Sequence, residues 1–220
     1  MIIKTNPDEF ENFIIDASNF KGNCEAVYFP ENVEEVVSIL KEANTNKTKV
    51  TIAGNGTGLT GARVPQNGIV IATDKLNKIL EINPNEFYAL IEPAVLLSDF
   101  QKELKQQNLF YPPDPTETNC YIGGTVATNA SGAKTFKYGP TREYIIGLQI
   151  VLSDGEVLDL ERGKQKSSGY SLSFITQSGK NISLQIPDYT FPAVKNASGY
   201  FVRKDMDAID LFIGSEGTLG

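Results

Sequence analysis

A glycine-rich run at residues 54–61 has residue types and spacing that suit the binding of a phosphate. It reads Gly-Asn-Gly-Thr-Gly-Leu-Thr-Gly and directly follows Val50–Ala53, which is predicted as a strand. Glycine has no Cβ, so backbone N–H groups in such a loop can approach a phosphate closely. A plain turn needs one or two glycines, whereas this run has four. The run therefore predicts a phosphate-binding loop.

Three kinds of phosphate loop differ in the residues that come after the glycines. A Walker loop ends in Gly-Lys-Ser/Thr, and no lysine is present at that position here. A Rossmann loop has the pattern Gly-x-Gly-x-x-Gly, which Gly56, Gly58 and Gly61 match, but the loop must open a helix. Pro65 and Gly68 would break such a helix within two turns. The pattern favours a free-standing loop that wraps a pyrophosphate with consecutive N–H groups.

The rest of the chain offers little catalytic chemistry of its own. Its 220 residues include no histidine, which is the commonest general base and the commonest metal ligand. Cys24 and Cys120 form neither a zinc pattern nor a disulfide framework. We therefore expect no catalytic residue and no metal site within this chain, and we expect a cofactor to supply the chemistry.

Charge and hydropathy exclude two classes of partner. The net charge of −7 argues against a non-specific nucleic-acid binder, which needs a basic face. The first residues lack the apolar core and cleavage site of a signal peptide. The most apolar stretch, residues 144–152, is too short to span a bilayer and contains Gln149. We expect a cytoplasmic protein without a membrane span.

The elements before the glycine run must position it. Residues 26–29 and 50–53 are predicted as strands, with a helix from Asn32 between them. Asn32 and Glu35 form a predicted capping box for that helix. A strand, a helix and a strand of this length predict a βαβ unit with parallel strands. Residues 7–17 are predicted as a further short helix.

The elements after the glycine run are mostly predicted strands. A second helix is predicted at residues 98–107, with Ser98 and Gln101 as a possible capping box, and a turn of helix is expected within 123–133. The prolines at 112–115 predict a rigid extended loop. The polar segment 164–198 is the hardest to assign. Further strands are predicted at 69–72, 79–82, 87–92, 145–152, 157–160, 172–176 and 182–186.

Four ordered motifs together resemble a known family. They are the glycine loop at 53–62, Asn-Leu-Phe-Tyr-Pro-Pro-Asp-Pro at 108–115, Ile-Gly-Gly-Thr-Val-Ala-Thr-Asn-Ala-Ser-Gly at 122–132 with Lys-Tyr-Gly at 137–139, and Gly-Ser-Glu-Gly-Thr-Leu-Gly at 214–220. The set resembles the vanillyl-alcohol-oxidase (PCMH-type) FAD-binding fold, in its branch of D-lactate dehydrogenases and glycolate oxidase flavoprotein subunits. The resemblance covers about residues 26–220.

The resemblance implies an α+β fold with two lobes and FAD between them. It implies a βαβ-containing first lobe at 25–82 and a mixed, largely antiparallel second lobe at 83–220. Before them, the residue pattern predicts an N-terminal helical segment at 1–24. Because the last motif ends at Gly220, we expect a fragment without the C-terminal domain that would hold the substrate.

The resemblance also implies the residues that bind FAD. The first loop would hold the pyrophosphate through Gly54, Asn55, Gly56, Thr57, Gly58, Leu59 and Thr60. Small residues would pack along the cofactor between its pyrophosphate and its flavin, namely Gly123, Gly124, Ala127, Asn129, Ser131 and Gly132. Around them would lie Pro112, Asp114, Tyr138, Glu216 and Gly217.

Each later assignment keeps a structural alternative. The prolines near Pro112 would also serve as a stiff connector, the small residues would also serve tight helix packing, and Tyr138 is equally suited to the core. Some broader relatives attach FAD through a cysteine near the position of Cys120. We expect non-covalent FAD, since a buried cysteine usually only packs.

The function implied is oxidation of a 2-hydroxy acid of the D-lactate, glycolate or D-2-hydroxyglutarate class, by hydride transfer to flavin N5. An electron-acceptor protein or a quinone would take the electrons. The fragment alone is expected to bind FAD without turning over substrate. The alternatives are a sugar or alditol oxidase, a UDP-N-acetylenolpyruvoylglucosamine-reductase-like enzyme, or a non-catalytic electron-carrier subunit. The sequence leaves the substrate, the acceptor and the oligomeric state open.

Overall fold

The structure is a computed structural model that describes residues 1–194, 197 and 199–220. A four-stranded sheet forms its first half. Its strands are β1 (Ile2–Lys4), β2 (Ala26–Phe29), β3 (Val50–Ala53) and β4 (Ile69–Ala72), in the order β1-β2-β4-β3. Strands β2 and β3 both run parallel to β4, and β1 is antiparallel to β2. The predicted parallel orientation of β2 and β3 is confirmed, with β4 lying between them.

Helix α1 (Val33–Asn46) covers one face of this sheet. It buries Ile39, Leu40 and Ala43 against apolar residues of β2 and β4. The side chain of Asn32 accepts the N–H of Glu35 at 2.9 Å, which confirms the predicted cap. The carboxylate of Glu35 accepts the N–H of Glu31 at 2.8 Å, so the reciprocal half of the predicted capping box is displaced by one residue.

The N-terminal segment covers the opposite face. Residues 7–17 form two short 3₁₀ turns, Pro7–Glu9 and Glu11–Phe13, and the predicted helix is wrong. Phe10 has backbone angles outside the helical region, with φ of −133° and ψ of 20°, and is buried against β2, β3 and β4. Burying Phe10 on the sheet takes precedence over local helix preference, because tertiary packing routinely overrides it. Strand β4, with both faces covered, is buried along its whole length.

The second half consists of antiparallel hairpins and short helices. The hairpins pair β5 (Ile79–Asn83) with β6 (Tyr88–Ile91), β7 (Gly147–Val151) with β8 (Val157–Glu161), and β9 (Ser171–Ile175) with β10 (Asn181–Gln185). The helices are α2 (Leu97–Gln106), α3 (Ile122–Ala127), α4 (Thr135–Tyr138) and α5 (Ile209–Phe212). The predicted α+β class is confirmed, with a mixed first sheet and antiparallel pairs after it.

Helix α2 begins differently from the prediction. Its first residue is Leu97, and no side chain caps it. The N–H of Ser98 donates to the carbonyl of Thr118 at 3.1 Å. Gln101 donates to the carbonyl of Pro113 at 3.4 Å. The capping box of Ser98 and Gln101 is therefore wrong, because the neighbouring chain satisfies this helix end.

The largest core cluster lies in the second half. Hairpins β7–β8 and β9–β10 pack their inner faces against α5, with Phe174 and Phe212 in an edge-to-face contact at 6.1 Å. Positions 195, 196 and 198 of the polar segment 164–198 lie outside the described residues. The lobe boundaries at 24/25 and 82/83 stay predictions, although β1 within segment 1–24 belongs to the first sheet.

Candidate functional site

The glycine run leaves β3 at its carboxyl end and enters an open cleft. No helix forms between Ala53 and Ile69, so the free-standing loop agrees with the sequence pattern that disfavours a Rossmann site. Gly56 and Gly61 have positive φ angles of 71° and 76°, which residues with a Cβ rarely adopt. The predicted loop residues 54–60 all line the cleft.

The loop has free backbone donors. Among the described residues, no backbone N–H of residues 54–60 donates a hydrogen bond to another part of the chain. Two carbonyls of the loop, in contrast, form hydrogen bonds within the protein. The carbonyl of Gly54 accepts from Arg63, and that of Gly56 accepts the N–H of Ala17 at 3.0 Å. Carbonyls held by the protein and N–H groups left available are the polarity that an anion site requires.

Arg63 lies beside the loop and also lines the cleft, and no motif in the sequence singled it out. Its guanidinium donates to the carbonyls of Gly54 and Asn12, and to that of Ile15 at 3.2 Å. Burial lowers the pKa of Arg63, while the nearby carboxylates of Asp74 and Asp16 oppose the change. An arginine nevertheless stays charged in proteins, so a half-buried cation lies next to the loop.

Asp16 lies at the same cleft and has one buried carboxylate oxygen without a partner. The residue is 7% exposed and lines the cleft. One oxygen accepts the N–H of Ser18 at 2.9 Å, and the other has no hydrogen-bond partner among the described residues. A buried acceptor without a donor is costly, so the position suits a ligand hydroxyl. FAD carries such hydroxyls on both of its sugar chains.

Helix α3 carries the second glycine pair to the cleft. Gly123 packs on Pro93, where an added Cβ would lie 2.6 Å from a Pro93 side-chain carbon. Gly124 faces open space, with no atom within 4 Å of such a Cβ. The Asn55 side chain donates to the carbonyl of Asn119 at 2.6 Å, which ties the first loop to the segment before α3. The structure therefore brings the glycine loop and the glycine pair of α3 to one cleft.

The last motif, residues 214–220, contacts helix α3 and strand β3. The N–H of Glu216 donates to the carbonyl of Ala127 at 2.9 Å, and Gly217 lies beside Ile52 of β3. Of the predicted site residues, those that line the cleft are Gly54, Asn55, Gly56, Thr57, Gly58, Leu59, Thr60, Gly123, Gly124, Ala127, Glu216 and Gly217.

The remaining predicted residues make protein contacts. Asn129 accepts the N–H of Arg142 at 3.0 Å, and Tyr138 packs edge-on against Phe110 at 5.7 Å. Gly132 lies against the carbonyl of Asp114, where a Cβ would come within 1.6 Å. The residues that do not line the cleft are Pro112, Asp114, Asn129, Ser131, Gly132 and Tyr138. Their proposed contacts with a cofactor stay predictions.

A buried ionic network holds the last motif in place, and it too went unpredicted from the sequence. Arg142 and Arg162 both contact Asp210, at 3.1 and 3.0 Å. Arg142 also donates to the carbonyl of Ile213. Burial lowers the pKa of Arg142, and the hydrogen bond and charge of Asp210 oppose that effect. The network fixes α5, and with it the chain that reaches Glu216.

Cys120 lines the cleft as an unreactive thiol. It is buried, and that burial raises the pKa of Cys120 to about 11. A thiol with this pKa is almost wholly protonated at neutral pH, and the thiolate is the nucleophile. Among the described residues, no group of three or more acidic, cysteine or histidine side chains is arranged to hold a metal ion. None of the described helices is long and apolar enough to cross a membrane.

The arrangement fits FAD. A row of free N–H groups suits the pyrophosphate, the unpaired oxygen of Asp16 suits a sugar hydroxyl, and the open face of Gly124 leaves room for a flat ring. Residues 24–161 match the family described as FAD binding domain. The chain belongs to this PCMH-type FAD-binding family, and FAD is its cofactor.

Named relatives extend the match over the chain. It is 42% identical over 154 residues, 69% of its length, to D-lactate dehydrogenase of Anaerostipes hadrus. It is 33% identical over 99% of its length to D-2-hydroxyglutarate dehydrogenase of Xanthomonas citri pv. viticola, and 32% identical over 100% to glycolate oxidase subunit GlcD of Bacillus subtilis. These matches cover 32%, 39% and 42% of the relatives, so the chain spans well under half of their length.

Solved structures share the fold. Alkyldihydroxyacetonephosphate synthase matches with a TM-score of 0.69 and 19% identity, over 99% of this chain and 38% of that one. 6-Hydroxy-D-nicotine oxidase from Arthrobacter nicotinovorans matches with a TM-score of 0.66 and 18% identity, over 74% of this chain and 36% of that one. At such identities the likeness concerns the fold alone. It confirms the predicted PCMH-type architecture.

Proposed function

We propose that this chain is the FAD-binding part of a flavin-dependent oxidoreductase that oxidises a 2-hydroxy acid in the cytoplasm. The observation that carries the proposal is the loop at residues 54–60, whose N–H groups are free while the carbonyls of Gly54 and Gly56 are held. The substrate class follows the relatives, which are named for D-lactate, D-2-hydroxyglutarate and glycolate.

Different residues of the cleft bind different parts of the cofactor. The N–H groups of the first loop bind the pyrophosphate, and Asp16 accepts a hydrogen bond from a sugar hydroxyl. Gly124 and Ala127 present a flat, small surface beside the ring system. Glu216 and Gly217 close the cleft from the last motif. When bound, FAD supplies the acceptor for a hydride that leaves the α-carbon of the hydroxy acid.

The attachment of FAD is non-covalent in this proposal. The cysteine that lines the cleft is Cys120, and burial raises the pKa of its thiol to about 11. Its thiolate fraction at neutral pH is therefore very small, which disfavours bond formation. Acid precipitation provides the test, since a colourless pellet with a yellow supernatant supports the proposal. A pellet that keeps the flavin after washing would contradict it.

Substrate binding and proton removal are assigned to the rest of the full protein. The sequence contains no histidine, so this chain cannot supply a histidine base. We propose that a further domain contributes the carboxylate clamp and the base, and that a protein or quinone receives the electrons. The alternatives of a sugar or alditol oxidase, a UDP-N-acetylenolpyruvoylglucosamine-reductase-like enzyme and an electron-carrier subunit become outcomes of the test.

The test uses the full-length protein with FAD bound, under anaerobic conditions. D-Lactate, glycolate, D-2-hydroxyglutarate and a sugar alcohol are added separately while the flavin absorption near its visible maximum is followed. Bleaching by one hydroxy acid supports the proposal. Bleaching only by the sugar alcohol, or by none of the four, would overturn the substrate class, and the L-enantiomers serve as controls for stereochemistry.

A further inference from the structure

Arg63 connects two separate parts of the backbone beside the glycine loop through three carbonyls. Its guanidinium donates to carbonyls of Gly54 in the loop and of Asn12 and Ile15 in the N-terminal segment. The same cation lies over the ring of Phe13 at 5.5 Å. A guanidinium offers five donors in a rigid plane, so one side chain can hold several carbonyls at once.

The contact also explains why the loop is shaped as it is. At Gly56, an added Cβ would lie 2.7 Å from the central carbon of the Arg63 guanidinium. The loop backbone therefore packs directly on the cation. With the carbonyls of Gly54 and Gly56 turned toward protein donors, the N–H groups of the loop remain for another partner.

The N-terminal segment contributes to the same arrangement. The N–H of Ala17 donates to the carbonyl of Gly56, and Asp16 lines the cleft next to the loop. Gly61 lies so close to Phe20 that an added Cβ would be 3.1 Å from its ring. Removing Arg63 would detach residues 12–15 from the loop and leave the carbonyls of Asn12 and Ile15 without this donor.

We infer that Arg63 is a positioning residue for the pyrophosphate loop, which it locks to the N-terminal segment so that the loop N–H groups stay directed at a diphosphate. The inference rests on the proposed binding of FAD and names a further determinant of that binding. Arg63 acts on the diphosphate part of the cofactor and leaves the surroundings of the flavin ring unchanged.

Two substitutions and one control test this role. Arg63→Met removes the donors and the charge but keeps most of the side-chain length. Arg63→Lys keeps the charge, but its compact ammonium lacks the planar fork that spans the three separated carbonyls. Arg203→Met is the matched control, because Arg203 stacks on Phe191 and Phe201 and does not line the cleft.

The readouts are the dissociation constants of FAD and of ADP, the latter by competition, and the visible spectrum of bound FAD at saturation. We expect Arg63→Met to weaken FAD and ADP by about tenfold or more, which exceeds the scatter of such measurements. The FAD and ADP dissociation constants of Arg63→Lys should lie between those of Arg63→Met and the wild type. Those of Arg203→Met should match the wild type. The spectrum of bound flavin is the same in all four proteins.

Two results overturn the inference: unchanged FAD and ADP affinities in folded Arg63→Met, or weaker binding with an altered flavin spectrum, which marks general disruption. If circular dichroism shows that Arg63→Met does not fold, Arg63→Lys decides by the same criteria. A wild-type chain that binds no FAD defeats the proposed function as well. A wild-type chain that binds FAD, together with unaffected variants, defeats only the role of Arg63.

Discussion

The guanidinium of Arg142 lies 3.1 Å from a carboxylate oxygen of Asp210, and both side chains are largely buried, at 13% and 12% exposure. Arg162 reaches the same oxygen at 3.0 Å. This pairing joins the chain before β7 to α5, which precedes the closing motif. The position of Glu216 and Gly217 at the cleft therefore depends on an ion pair far along the sequence from the glycine loop.

Breaking that pair should destabilise the fold. Asp210→Asn leaves the largely buried guanidinium of Arg142 and the partly exposed one of Arg162 without a counter-charge, and we expect a loss of about 3 kcal/mol in the free energy of unfolding. Urea denaturation followed by circular dichroism measures it. The control is Glu161→Gln, whose exposed pair with Lys164 should contribute less than about 1 kcal/mol. Equal effects of the two substitutions would show that the network does not matter.

A substitution at Gly124 should affect FAD binding without reducing the stability of the fold. No atom lies within 4 Å of an added Cβ, so Gly124→Ala should leave the free energy of unfolding unchanged or raise it by up to about 1 kcal/mol, as alanine favours a helix. If FAD packs on this face, the methyl group should weaken FAD binding by about tenfold, which isothermal titration calorimetry measures. Gly123→Ala, which meets Pro93, should instead reduce stability. Unchanged FAD affinity in Gly124→Ala would place the ring elsewhere.

Asp16 is expected to act on binding more than on stability. In Asp16→Ala the unpaired oxygen disappears together with the hydrogen bond to Ser18, so the two effects on stability partly cancel. FAD affinity should fall by about tenfold, because a sugar hydroxyl loses its acceptor. Fluorescence titration with FAD measures the change, and Ser18→Ala controls for the local turn. Wild-type affinity in Asp16→Ala would contradict this role.

Cys120 should make stability depend on pH in the alkaline range. The pKa of its thiol is raised from 9.0 to about 11, so the unfolded chain loses this proton first as pH rises. The contribution of Cys120 is complete below about pH 9 and is lost as pH approaches about 11. The difference in unfolding free energy between the wild type and Cys120→Ser should therefore shrink over that interval. A constant difference would mean that the thiol ionises normally.

The sheet and the glycine loop were predictable because their signals are local. Strand β4 reads Ile-Val-Ile-Ala and is buried on both faces, as a short apolar run predicts. The spacing of the glycines and the helix breakers after them, Pro65 and Gly68, indicate the loop. The side chain of Asn32 caps α1 as expected, since such a cap involves residues three positions apart.

The missed features depend on distant backbone. Arg63 binds carbonyls of residues 48 and 51 positions away, and every residue type has a carbonyl, so no partner residue marks the site. Asp210 and Arg142 lie 68 positions apart in the sequence and are brought together only by the fold of the second half. The predicted helix at residues 7–17 failed for the same reason, because Phe10 is held by the sheet.

Titration of the purified 220-residue chain with FAD tests the central claim most directly. The loop geometry predicts saturable, stoichiometric binding that quenches or shifts the flavin signal, and it predicts that ADP competes for the site. A sample with native circular dichroism that leaves the flavin signal unaltered at every FAD concentration would contradict the account, and the proposed enzymatic role would fall with it.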